Sequence, residues 1–333
     1  MKIFITGVAG FLGSHLADRM IELGHTVAGN DTLIGGYMDN VPNGVEFHKI
    51  DCCDIDSMTK AIAGSDVVIH TAATAHEGLS VFSPSFITKN IFEASVSTIS
   101  ASIQNKVKRF VFCSSMARYG NQQVPYTEDQ TPMPEDPYAV AKVASEDVLK
   151  MLGETHGMEW NIAVPHNIVG PRQRYDDPFR NVMSIMINRN LQGKPSIIYG
   201  DGLQTRCFSY VGDCISCLEK MALDPSIVSE TINIGPDEGT ITVKDMAGLV
   251  SKECGVDLEP IHMPDRPREV KHASCSADKA RRVLNYETKT TLEESVRQTV
   301  EYVRSRGVKP FDYTYPLEIV SELTPKTWSE RLM

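Results

Sequence analysis

Three glycines near the start of the chain constrain it more than any other feature. Lys2-Ile3-Phe4-Ile5-Thr6 is a short apolar run suited to a buried strand, and Gly7, Gly10 and Gly13 follow it directly as G-x-x-G-x-x-G. They stand at the mouth of a segment with helical periodicity, near 11–23. A strand that turns at once into a helix leaves the first helical N–H groups without partners and the positive end of the helix dipole open. That arrangement suits a pyrophosphate. Each glycine has a mechanical use there: a tight turn, close approach by phosphate, and close packing of helix on sheet. Phe11 and Leu12 share the turn, and Asp31 closes the second apolar run. A carboxylate at that point accepts hydrogen bonds from adenosine ribose hydroxyls and repels a 2′-phosphate, so the pattern predicts NAD rather than NADP.

The rest of the first half continues the alternation. Apolar runs predict strands near 2–6, 26–30, 45–49, 67–71, 109–114 and 160–165, with helices near 11–23, 57–63, 85–105 and 137–156 between them. This is the pattern of repeated βαβ units and predicts an α/β fold, a doubly wound parallel sheet with helices on both faces. After Pro165 the regularity loosens. Pro171, Pro178 and Pro195 punctuate short segments, Thr231-Ile232-Asn233-Ile234-Gly235 reads as one more buried strand, and 291–306 reads as an amphipathic helix. The expected division is a cofactor-binding domain of residues 1–166 and about 206–238, with a smaller mixed α/β substrate domain of residues 167–205 and 239–310. A tail over 311–333 opens with Phe311, Tyr313, Tyr315 and Pro316, and no pattern in it indicates a place or a function.

Composition excludes some partners. With 333 residues and a formal charge of -10, the chain can bury a full core and is repelled by nucleic acid and by an anionic membrane surface. No run approaches the roughly 20 apolar residues of a membrane-spanning helix, and the N-terminus opens straight into the first strand rather than a cleavable signal. A cytoplasmic location is expected. The eight cysteines show no C-x-x-C pair, which points to free thiols in a reducing compartment and to no metal centre.

Tyr138 and Lys142 stand four apart at the start of a predicted helix, in Pro137-Tyr138-Ala139-Val140-Ala141-Lys142, and so share one face. A phenol with a pKa near 10 is a poor base at neutral pH. An adjacent ammonium and a cationic nicotinamide both favour the phenolate, which makes Tyr138 a candidate general base. Ser115, at the end of the fifth strand, can hydrogen-bond the reacting oxygen as charge moves onto it.

At this point the chain resembles a known family. Ser114-Ser115-Met116-Ala117-Arg118-Tyr119-Gly120 followed by Tyr-x-x-x-Lys is similar to the extended short-chain dehydrogenase/reductases, and among them to the NAD-dependent nucleotide-sugar epimerases of the UDP-hexose 4-epimerase type. The likeness runs from Met1 to about residue 305. It implies that Ser115, Tyr138 and Lys142 carry hydride chemistry at a sugar carbinol. Asp51 and Cys52 would lie beside adenine, Ala72 and Ala73 would form the turn after the fourth strand, and Asn90 would be the asparagine of the next helix. Asn167 and Met116 would touch substrate, and Arg206 and Arg266 would meet its diphosphate with fork-shaped, charge-assisted hydrogen bonds. Ala273 would fall where pocket size is set. The resemblance also implies a homodimer built on a four-helix bundle from the segments near 85–105 and 137–156. The chain departs from the family at His166, at Arg268 in place of a usual glycine, at Ser276 in place of an aspartate, and at Asn90-Ile91-Phe92-Glu93-Ala94-Ser95. On an apolar strand, His70 reads as a core histidine rather than a ligand.

Related dehydratases and decarboxylases carry acidic residues after the catalytic serine or threonine. Here Met116 and Ala117 occupy those places and cannot move a proton. The first expectation is therefore C4 epimerisation of a UDP-hexose, N-acetylated and uronic forms included, through a transient 4-keto sugar. A nucleotide 4-keto-sugar reductase is the second reading, and a non-catalytic NAD-binding interaction protein the third.

Overall fold

The computed structural model describes residues 1–333. Seven strands form one all-parallel sheet: β1 (Lys2–Thr6), β2 (Thr26–Asn30), β3 (Glu46–His48), β4 (Val67–His70), β5 (Arg109–Cys113), β6 (Glu159–Pro165) and β7 (Glu230–Ile234). Their spatial order is β7-β6-β5-β4-β1-β2-β3. Ile3 pairs with Val27 on one side and Val67 on the other, so the chain winds outward in both directions from β1. The order reverses between β1 and β4, and the crevice beyond their carboxyl ends is where such sheets bind ligands.

Strand side chains alternate between two cores. Ile3 and Ile5 of β1, with Val111 and Cys113 of β5, pack under the helices Phe11–Glu22 and Val211–Leu223. Phe4, Phe110 and Phe112 point to the opposite face, against Ile55–Ile62, Ala94–Gln104 and Pro137–His156. A strand buried on both faces needs apolar residues at every position, which explains the unbroken apolar runs of the sequence.

The predicted elements form at or near their expected bounds. The helical stretch from Pro84 to Gln104 contains a π-helical turn, Lys89–Glu93, on the Asn90–Ser95 segment that departs from the family pattern. Such turns are common at functional sites. Pro137–His156 begins at Asp136, whose carboxylate accepts from Ala139 N, and ends at Gly157 with φ +71°. A third core joins Val182–Leu191, Val243–Cys254 and Leu292–Arg306 through Met186, Ile187, Val250, Val296 and Val300. No helix is long and apolar enough to cross a membrane.

Candidate active site

The carboxyl ends of the central strands open into a cavity of about 450 Å³. It is lined by Gly7, Gly10, Phe11, Leu12, Gly13, Asp31, Asp51, Cys52, Ala72, Ala73 and Asn90, and equally by Ser115, Tyr138, Lys142, Asn167, Arg206 and Arg266. Met116 lies apart from these, in an adjoining cavity of about 100 Å³ that shares Asn167, Arg206 and Arg266 with the larger one. Ala273 also lines the smaller cavity.

The glycine turn is built as tightly as the sequence requires. Gly7 has φ +69°, and a Cβ on it would stand 2.9 Å from Ala72 Cα. A Cβ on Gly13 would stand 2.3 Å from Gly7 O, so helix and turn approach backbone to backbone. Gly10 begins the helix Phe11–Glu22 and no side chain caps it, which leaves the first amides for an anion. The buried carboxylate of Asp31 accepts from Ala9 N at 3.1 Å and Leu33 N at 2.7 Å. Burial pushes that carboxyl above its usual range, and these N–H donors pull it back. Asn30 donates to Ile50 O and to Cys52 Sγ, tying the end of β2 to the segment that carries Asp51 and Cys52. A cradle that side chains would fill, open amides and a fixed acid beyond β2 together fit a dinucleotide.

Tyr138 and Lys142 project from the first turns of Pro137–His156, and Ser115 follows β5. Lys142 Nζ donates to Cys113 O at 2.7 Å, lies 4.8 Å from the Phe112 ring centroid, and is 6.0 Å from that of Tyr138. Burial pushes the ammonium down to about 8, opposed by Cys113 and Glu146. Around the phenol, burial is the largest influence and the Glu77 carboxylate the next; together they outweigh Ser115 and Arg180 and hold Tyr138 above its ordinary value. The surrounding protein by itself therefore keeps the phenol protonated, and the base expected from the sequence depends on charge brought in by a cationic cofactor ring. Ser115 Oγ accepts from Ala117 N at 3.2 Å, which leaves its own proton free to donate. Just beneath, Ser114 Oγ donates to Glu146, and Arg118 pairs with Glu146 at 3.0 Å, both side chains buried. These contacts fasten the Ser115 segment to the helix that carries Tyr138.

At the other end, Arg206 donates to Thr205 O, Val270 O and Lys271 O, while Arg266 forms a fork on Glu269 at 2.9 and 3.2 Å and stacks on the Tyr199 ring. Arg206 lies 3.9 Å from the same carboxylate. Two guanidinium groups thus converge around Glu269, an acid that sequence reasoning passed over. Arg268, where the family has glycine, adopts φ +60°, the left-handed region that glycine favours.

Other lining residues went unrecognised. Glu77 follows β4 and lines both cavities; burial, then Asp136, pushes its carboxyl up to about 7. Arg180, Tyr315 and Trp328 also face the larger cavity. None sits in a spaced motif, and the sequence around them carries no signal that singles them out. His70 and His166 are structural. His70 is buried between Thr6 Oγ1 at 2.8 Å and Ser95 Oγ at 3.1 Å, with its pKa pushed down to about 3 by burial and the Lys142 charge. His166 is buried with Nε2 2.8 Å from Pro236 O.

Comparison with known proteins bears on this geometry. The model of the NAD dependent epimerase/dehydratase family matches residues 3–235. The UDP-glucose 4-epimerase of Mycolicibacterium smegmatis is 31% identical over 318 residues, spanning 92% of this chain and 100% of its own. Among solved structures, UDP-glucose 4-epimerase from Thermotoga maritima with UDP-glucose superposes with a TM-score of 0.86 at 31% identity, covering 92% of this chain and 99% of that one. UDP-glucuronic acid 4-epimerase from Bacillus cereus, in complex with UDP-glucuronic acid and NAD, gives 0.85 at 27%, covering 92% and 100%.

Proposed function

The chain belongs to the NAD dependent epimerase/dehydratase family, and from that premise we propose that it is an NAD-dependent nucleotide-sugar epimerase that inverts C4 of a UDP-hexose. The observation that carries this reading is that Ser115, Tyr138 and Lys142 line the same cavity as Gly7, Gly10 and Gly13, with Arg206 and Arg266 in its wall. NAD, when bound, supplies an acceptor for the C4 hydride and a donor for its return.

The protein's own residues do the rest. Gly7, Gly10 and Gly13 with the open amides after Gly10 hold the pyrophosphate, and Asp31 takes the adenosine ribose. Asp51, Cys52, Ala72, Ala73 and Asn90 complete that wall. Tyr138 takes the O4 proton as the carbinol is oxidised and gives it back as the 4-keto sugar is reduced. Ser115 donates a hydrogen bond to O4, and Lys142, fixed on Cys113 O, keeps positive charge near the phenol. Arg206, Arg266 and Asn167 hold the diphosphate end while the hexose turns over, and Met116 borders the neighbouring space. Apolar Met116 and Ala117 after Ser115 supply no further proton carrier, which favours simple epimerisation over dehydration.

Residues 1–166 with about 206–238 form the cofactor half in this reading, and 167–205 with 239–310 the nucleotide-sugar half. Phe92, Val140 and Met151 are exposed on the two long helices proposed to pair in a homodimer, and a cytoplasmic location fits the acidic composition. Incubation with UDP-glucose, UDP-galactose and their N-acetyl and uronic forms, followed by product separation, tests the assignment. The expected result is a C4 isomer formed with catalytic NAD and lost in Tyr138→Phe, which should still bind NAD. Stoichiometric cofactor consumption would identify a keto-sugar reductase instead, and undiminished activity of Tyr138→Phe would remove the proposed base.

A further inference from the structure

The tail after Pro310, silent in the sequence, runs back across the cavity. Asp312 N donates to Asp176 O at 2.8 Å, and Asp312 pairs with Arg174 at 2.7 Å. Phe82 O accepts from Glu318 N and Ile319 N, while the Glu318 carboxylate accepts from Ser85 N at 2.9 Å and Phe86 N at 2.7 Å, capping the short helix Pro84–Thr88. Further on, Thr327 bonds Tyr199, and Trp328 Nε1 donates to Pro178 O at 3.2 Å. Tyr315 reaches the other half of the crevice, its hydroxyl 3.4 Å from Ile34 O. The segment is thus pinned to the loops after β2, β4 and β6, which are separate walls of one cavity.

Its aromatic residues do more than anchor it. Tyr315 and Trp328 are buried in one apolar cluster with Tyr138 and Phe179, and both line the cavity together with Met333. The indole lies against Gly78, where an added Cβ would meet it at 3.3 Å, and its ring centroid is 5.3 Å from that of Phe179. Flat aromatic rings lining the cavity that holds the reacting phenol suit the apolar C–H face of a pyranose, and they limit the room for substituents on the ring.

We propose that Phe311–Met333 is a strap that completes the hexose end of the site, with Trp328 a specificity-determining residue. The inference rests on the function proposed above and concerns the sugar alone. At the nucleotide end Arg206 donates hydrogen bonds only to Thr205, Val270 and Lys271, outside the strap, while Arg266 stacks on Tyr199, the ring whose hydroxyl Thr327 bonds, so loss of the indole should be felt far more by a nucleotide sugar than by UDP.

The test uses the full-length NAD-loaded enzyme and two variants, Trp328→Ala and Glu318→Ala, with UDP and UDP-glucose titrated calorimetrically. Glu318 is exposed and acts only through the strap's anchorage, so it keeps the test open if loss of the indole harms folding. Trp328→Ala should leave UDP affinity within twofold of wild type and weaken UDP-glucose at least fivefold. It should also raise kcat/KM for UDP-N-acetylglucosamine relative to UDP-glucose, with Glu318→Ala shifting both readings in the same direction by about twofold. Equal losses for UDP and UDP-glucose would reduce the strap to a folding element and overturn the inference, as would unchanged affinities in both variants. A wild-type protein that binds no UDP would overturn the function itself, and this inference with it.

Discussion

Replacing Gly13 by alanine tests the cofactor cradle, because the clash it creates can be read from the backbone. The new Cβ would lie 2.3 Å from Gly7 O, 2.9 Å from Gly7 C and 3.0 Å from Thr71 Oγ1, where ordinary contact begins near 3.4 Å. The two nearest atoms are backbone, so no side-chain rotation relieves the clash. The helix Phe11–Glu22 and the turn must separate by about 1 Å, an overpacking that costs about 1–3 kcal/mol of stability. The same shift misaligns the amides at the start of the helix. Loss of one hydrogen bond to a charged phosphate is worth about 1.5–3 kcal/mol, or at least about tenfold in NAD affinity. Gly248 provides the control, being exposed within Val243–Cys254 with nothing near its added Cβ. There alanine should stabilise by about 0.5–1 kcal/mol and leave NAD binding unchanged. Urea denaturation gives the stabilities and calorimetric titration the affinities. Gly13→Ala binding NAD within twofold of wild type would refute the cradle.

Three further substitutions probe separate parts of the site. Asp31→Asn removes the charge that would repel a 2′-phosphate and should tighten NADPH relative to NADH by about tenfold; wild-type protein that already prefers NADPH would contradict the role given to Asp31. Lys142 is held down to about 8, so between pH 8 and 10 the unfolded chain keeps a proton that the folded protein gives up. Wild-type stability should therefore rise over that window relative to Lys142→Met, by on the order of 3 kcal/mol at most, and parallel curves for the two proteins would count against a strained ammonium. Arg118→Ala takes from the buried Glu146 carboxylate its closest cation, leaving Ser114 and the more distant Lys150, and should cost about 3–5 kcal/mol in urea denaturation, whereas a loss under 1 kcal/mol would mean that the pair does little to hold the Ser115 segment.

The elements legible in the sequence were those whose cause is local. The central strands β1, β4 and β5 are largely apolar runs because both faces of the sheet are covered there, and the turn at Gly7 needs its glycines whatever lies elsewhere in the chain. Tyr138 and Lys142 share a helix face by spacing alone. What escaped notice depends on distant segments meeting. Glu77 opens the one-turn helix Glu77–Ser80 and Arg180 and Glu269 sit in loops, none within a periodic pattern, and only tertiary packing brings them to one cavity. The tail gave no signal because Tyr315 and Trp328 belong to no common periodic element, yet they meet through Phe179. Expectation and structure differ in emphasis at Tyr138, where spacing suggested a lowered phenol pKa while burial and Glu77 raise it. Sequence carries the proximity of Lys142 but not the desolvation of the site.

The central claim is that one hydride leaves C4 of a UDP-hexose and returns to the opposite face of that carbon inside this cavity. The most direct measurement is incubation of UDP-glucose deuterated at C4 with the NAD-loaded protein, followed by isolation of the isomer and location of the label. The account predicts UDP-galactose with the deuterium still on C4. Label lost to solvent, or an isomer inverted at another carbon, would contradict it.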